Sequence, residues 1–282
     1  MARRYIHSEP TSRLAIWARR MAGFAFLASL LAVIIVRSGL LEIRPALATF
    51  AGALAIALVA LLLAFAALVV IWMEGLAGLG AALTAIAVSV VLLAYPGYFA
   101  IKAYRLPWIY DITTDPIDPP RFEALARLRV RDANPTTYAG LYAAEQQRAA
   151  YPDVGPLGTN ATVQAAYDAA LTVVNKRRWR IVDARAPQAG RREGRIEAVA
   201  RTPIMGFRDD VVIRVRAETD GARIDARSSS RYGSFDFGTN AARVRGLMND
   251  IEDAIRAQKP ERPPPTQLPA KKSTGKKDQP KR

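Results

Sequence analysis

Arginines recur at alternate positions between residues 195 and 231 in a pattern that could hold an anion. Arg195, Arg201, Arg214, Arg216, Arg223, Arg227 and Arg231 share one phase of successive extended segments. Guanidinium groups placed side by side can grip phosphate or carboxylate through paired hydrogen bonds. Glu197 and Asp225 stand in the same phase, so the competing reading is a cross-strand ladder of ion pairs on a solvated sheet face. The ligand-binding candidates are Arg214, Arg216, Arg227 and Arg231, with Asp236 and Arg243 just downstream.

Asp209, Asp210 and Asp236 are the carboxylates nearest the same stretch. Converging in a cleft, they could bind a hard cation or share acid–base work. Consecutive residues of an extended chain point to opposite faces, however, so salt bridges, or an Asp236 that caps a turn, compete with that use. Ser228, Ser229 and Ser230 offer hydroxyls without the usual base, because the single histidine, His7, lies far upstream and Lys102 and Lys176 are the only lysines between residues 102 and 258. The absence of cysteine excludes disulfides, thiolate nucleophiles and thiolate metal sites. No catalytic residue, metal ligand or cofactor is assigned.

Strands must carry these side chains. Residues 179–184, 195–202, 210–217 and 223–232 alternate in period two, with Ile196, Ala198 and Ala200, then Val211, Ile213 and Val215, then Ile224 and Ala226 on the packing face. Asp220-Gly221 signals a hairpin between the last two. Gly233 and Gly238 bracket a Ser-Phe-Asp-Phe loop as positions suited to positive φ, and Thr239 stands where a helix N-cap belongs. Ala241, Val244, Met248, Ile251 and Ile255 then mark one stripe of a helix, as Val163, Ala166, Tyr167, Ala170, Val173 and Val174 do upstream. The expected domain, residues 159–258, is α+β: a one-sided antiparallel sheet of about four strands with two packing helices. Residues 102–158, rich in proline, are expected to wrap it, with short helices over 122–129 and 137–149.

The strings SRYGSFDFGTNAARVR and GFRDDVVIRV, with DITTDPIDPPRF well upstream, resemble a bacterial and plastid family catalogued as domain of unknown function 1499, over roughly residues 108–256. The resemblance implies a membrane-associated or exported α+β domain and carries no established activity. Many members have a cysteine pair near the start of the domain, and this chain departs from them there.

Residues 21–101 are nearly all apolar. Three spans are expected: 21–41, 46–73 and 76–101, each long enough for the ~20 residues that cross the hydrocarbon. Arg37 can snorkel from the end of the first, Pro96 kinks the third, and the glycines and alanines suit close helix approach. Arg3, Arg4, Arg13, Arg19 and Arg20 with Trp17 make residues 1–20 a cytoplasmic approach to the bilayer, which puts everything after the third span on the periplasmic side of a bacterial inner membrane. A cleaved signal peptide is disfavoured because another apolar run follows in place of a polar mature chain.

The net charge of +15 is spread as +4 over residues 1–101, +5 over 102–258 and +6 over 259–282. The last segment, rich in proline and lysine, is expected to be a disordered tail. The folded domain is only mildly basic, and its arginine face lacks interleaved aromatic residues for stacking, so nucleic acid is not expected as a partner. The expected partners are the bilayer and an anionic lipid or another envelope protein, bound by an interaction module. The alternative is a cation-dependent envelope enzyme built on Asp209, Asp210 and Asp236.

Overall fold

The computed structural model describes residues 10–39, 43–188 and 193–258. The tail over 259–282, Arg3, Arg4 and His7 lie outside the described residues.

Three long helices come first: α1 (Arg13–Ser38), α2 (Ile43–Glu74) and α3 (Leu79–Arg105), each long and apolar enough to span a bilayer. Their contacts run along alanine. Ala18 and Ala22 of α1 meet Ala60 and Ala64 of α2 and Ala85 of α3 in one buried cluster, and Ala15, Ala67 and Ala82 form another. Without a hydrophobic force between helices in lipid, small side chains that let backbones approach supply the packing. Glycine contributes little to this close approach, since a Cβ added at Gly23, Gly52, Gly80 or Gly97 would meet nothing within 4 Å. Helix α3 continues through Pro96 to Arg105.

The N-terminal approach and the α2–α3 turn lie together, since Ser12 N–H donates to the Ala77 carbonyl and Ala77 N–H to that of Pro10. At the other end of the bundle sits the α+β domain. It contains β1 (Asp111–Thr113), α4 (Ala124–Leu128), α5 (Leu141–Ala150), β2 (Leu157–Thr159), α6 (Val163–Lys176), β3 (Arg180–Arg185), β4 (Glu193–Arg201), β5 (Arg208–Glu218), β6 (Gly221–Ser230) and α7 (Thr239–Gln258). The sheet is antiparallel in the order β1-β6-β5-β4-β3, with β2 also paired to β6. The four expected strands are β3 to β6. The two short extra strands come from the proline-rich segment, where three-residue runs carry no readable periodicity.

Helices α6 and α7 cover one face. Ile196, Ala198, Val211, Ile213, Val215, Ile224 and Ala226 meet Tyr167, Val174, Val244, Leu247 and Ile251 in the main core. Thr162 caps α6 by accepting from Ala165 N–H at 3.2 Å. The free edge of β1 is closed by Gln147 of α5, whose amide accepts from Thr113 N–H and donates to the Thr113 carbonyl, as a paired strand would.

The opposite face departs from expectation. The alternation reads as a wet, charged face, yet Arg227 is 1% exposed, Arg214 5%, and Glu197, Asp210 and Asp225 are fully buried. Residues 114–138 lie over it, with Phe122 and Leu125 packed on Val199 and Val212. A polar face can be covered when the covering chain brings counter-charges and backbone groups to satisfy it.

Candidate functional site

Each candidate arginine has an internal partner. Arg227 is held by Asp111 through Nε–Oδ1 at 2.9 Å and Nη2–Oδ2 at 2.6 Å, and it donates to the carbonyls of Pro120 and Thr136. Four of its five N–H donors are used. Its plane also lies over Phe122 and Tyr138, 4.7 Å and 5.5 Å from the ring centres. Burial pushes the Asp111 carboxyl above its ordinary range, and the Arg227 fork pulls it back.

Arg214 and Arg216 share Asp225 and Asp118, and Arg223 adds bonds to Asp225 and Asp115. This cluster sets three guanidiniums against three carboxylates on the face covered by residues 114–118. Arg231 and Arg129 converge on Asp210, at 2.8 Å and 2.7 Å. Glu197 accepts from the backbone N–H of Glu123, Ala124 and Leu125, capping the short α4 from across the sheet.

On the helix-covered face, Asp209 pairs with Arg243 of α7 at 2.5 Å, and burial raises the Asp209 carboxyl. Ser228 donates to Asn240 Oδ1 and accepts from Arg243, while Ser230 accepts from Asn240 Nδ2. The Ser230 hydroxyl also hydrogen-bonds the Asp209 carboxylate, which Arg243 holds as an ion pair. Asp236 accepts from Gly238 N–H and Asn240 N–H, so it supplies the side-chain cap of α7, and Thr239 is the first helical residue. Desolvation by burial lifts Asp236 to about 6, against the pull of these two amides. Gly233 and Gly238 adopt φ of 83° and 75°, and Phe237 between them takes φ of 54°.

The grouping of Asp209, Asp210 and Asp236 as a cation site does not hold. Asp209 and Asp236 lie on the helix side and Asp210 on the opposite side of the sheet, each engaged with its own partners. Among the described residues, no group of three or more His, Cys, Asp or Glu could hold a metal ion.

The membrane-facing end of the sheet is less well neutralised. Arg201 and Arg208 are opposite each other in the β4–β5 ladder, and Arg231 N–H donates to the Arg208 carbonyl, which sets three arginines in one cross-strand row. Arg201 donates to the carbonyl of Arg37 at the end of α1, and Arg37 in turn donates to the carbonyls of Pro203 and Ile204. Beside this row is a cleft of about 550 Å³, lined by Val36, Gly39, Ile43 and Arg44 from the spans and by Phe207, Arg208 and Arg231 from the domain, among others.

Sequence reasoning missed Asp111, Asp115 and Asp118, the partners that bury the arginines, although the DITTDPIDPPRF string contains all three; the pairs span 96 to 116 residues and no local spacing links them. It also missed Arg208. That residue shares the even phase of Arg214 and Arg216, and extending the third strand two residues upstream would have found it.

These features define a class: an α+β domain fixed to the end of a three-helix membrane bundle, its charged face folded inward. Residues 111–251, half of the chain, match the family described as Protein of unknown function (DUF1499), and the protein belongs to that family. A comparison with curated proteins finds no match.

Proposed function

We propose that this is a bacterial inner-membrane protein whose α+β domain lies on the periplasmic side and serves as a binding module for anionic lipid or another anionic envelope component, not as an enzyme. The observation that carries the reading is where basic charge is left over. Arg214, Arg216, Arg227, Arg231 and Arg243 are consumed by internal carboxylates, whereas Arg201 and Arg208, at the end facing the spans, have no carboxylate partner among the described residues. Basic groups at the level of a bilayer surface attract anionic headgroups. Support for the periplasmic side comes from the N-terminal arginines Arg13, Arg19 and Arg20, which are at the end of the bundle away from the domain, where the positive-inside rule favours a cytoplasmic position.

Reporter fusions after Ala257 test the orientation. An exported phosphatase should be active there and a fluorescent protein that folds only in the cytoplasm should be dark; the reverse pattern overturns the periplasmic assignment.

A further inference from the structure

We propose that the cleft at the membrane-facing end of the domain binds the phosphate of an anionic phospholipid headgroup, anchored by Arg208 and flanked by Arg231, Arg44 and Arg131. The inference rests on the lipid-binding reading above and narrows it to one site.

Charge is the first support. Among the described residues Arg208 has no carboxylate partner, while Arg201 and Arg231 flank it in the ladder. Like charges directly opposite on neighbouring strands repel, and a shared anion relieves that repulsion. Burial, then Arg201, Arg231 and Arg180, push the Arg208 guanidinium below its ordinary range, the direction a bound anion would reverse.

A buried pair of guanidiniums on one carboxylate is the second. Arg231 lines the cleft and is 7% exposed. Its Nε and Nη2 sit 2.8 Å and 2.7 Å from Asp210 Oδ1, and Arg129 holds the other oxygen of the same carboxylate at 2.7 Å, so two guanidiniums share one carboxylate beside the cleft. The positive charge left over by that two-to-one arrangement is one that a phosphate from outside the chain would neutralise.

Position is the third. Gly39 caps the end of α1 and Ile43 begins α2, so one wall of the cleft lies where spans leave the hydrocarbon and headgroups begin. The Arg208 guanidinium lies directly over Gly39, where an added Cβ would overlap it. Val36, Ile43, Leu128, Val130 and Phe207 provide apolar lining suited to the glycerol and upper acyl chain, and among the described residues the charged lining is Arg44, Arg131, Arg208 and Arg231, the last paired with Asp210, against the carboxylate of Asp132. Guanidinium forks match phosphate oxygens in geometry as well as charge.

The test uses the full-length protein in nanodiscs of phosphatidylcholine, with or without phosphatidylglycerol, and native mass spectrometry to count retained lipid. Wild type should retain phosphatidylglycerol, Arg208→Gln should lose about tenfold in retention, and Arg256→Gln, at an exposed arginine paired with Glu252, should match wild type. If Arg208→Gln does not fold, Arg44→Gln at an exposed lining position should show the same loss. Equal retention by wild type and the cleft variants sinks the site while leaving lipid binding intact; no preference for phosphatidylglycerol sinks both readings. A second arm adds inorganic phosphate to phosphatidylcholine discs and follows the thermal midpoint. Protection by phosphate equal to that by phosphatidylglycerol overturns the lipid as ligand in favour of the free ion.

Discussion

Asp236 shows how one side chain can hold two roles that conflict. Its carboxylate satisfies two amides at the start of α7, yet it is buried near Asp209, with Arg243 as the nearby cation and Tyr151 beside it. The net effect raises its pKa from 3.8 to about 6. Folded protein therefore takes up a proton in that window which the unfolded chain does not, so the stability contributed by Asp236 is greatest below the unfolded value and falls as pH rises through the window. The difference in unfolding free energy between wild type and Asp236→Asn should shift by about 2 kcal/mol in favour of wild type between neutral pH and roughly pH 4. Chemical denaturation at a series of pH values measures it, and a constant difference would mean the carboxyl is not held above its ordinary range. The turn position of Asp236 was legible from the neighbouring Gly238 and the helix stripe, but its burial was not, because Asp209 and Tyr151 come from other parts of the chain.

At the scale of elements, the β5–β6 hairpin pins the register that places every candidate arginine. Glu218 pairs with Gly221, leaving a two-residue loop, and Gly221 has φ of 149°. A Cβ there would also collide with the Thr159 carbonyl oxygen of β2, because β2 crosses close beside the start of β6. Gly221→Ala should therefore cost about 2–3 kcal/mol. The matched variant Gly158→Ala, whose added methyl meets nothing within 4 Å, should change stability by less than about 1 kcal/mol. Thermal melts of the two variants check this, and equal midpoints would remove the close approach of β2 from the account. The hairpin itself was readable from Asp220-Gly221. The second reason for glycine was not, because it depends on a strand more than 60 residues upstream in the chain.

For the molecule as a whole, the decisive contact joins bundle to domain. Arg37, at the end of the first span, donates to the carbonyls of Pro203 and Ile204 at 2.5 Å and 2.9 Å, and Met205 packs against Val36 and Ala46. A second contact runs through aromatic rings: Trp108 stacks on Phe235, Phe235 meets Phe237, and Phe237 meets Phe99 of α3 at 5.0 Å. The loop between Gly233 and Gly238 thus ties the last helix to the third span. Arg37→Ala should leave the domain folded but loosen its seat, raising amide hydrogen exchange in residues 204–207 about tenfold while the β5–β6 amides stay protected. Unchanged exchange in that loop would show that Met205 and the aromatic contacts suffice.

The sequence alone determined what depends on neighbours in the chain. Three spans, four strands, two amphipathic helices and the hairpin follow from hydrophobic period and turn chemistry, which are local properties. Tertiary structure decided the fate of the charges. Period two separates the faces of a strand but cannot say what lies over the polar one, and Asp111, Asp115 and Asp118 reach Arg227, Arg214, Arg216 and Arg223 only because β1 adds to the far edge of β6 and carries the following loop across the sheet. The same folding leaves Arg208 facing a cleft whose other wall is the α1–α2 end of the bundle, more than 160 residues away in the chain.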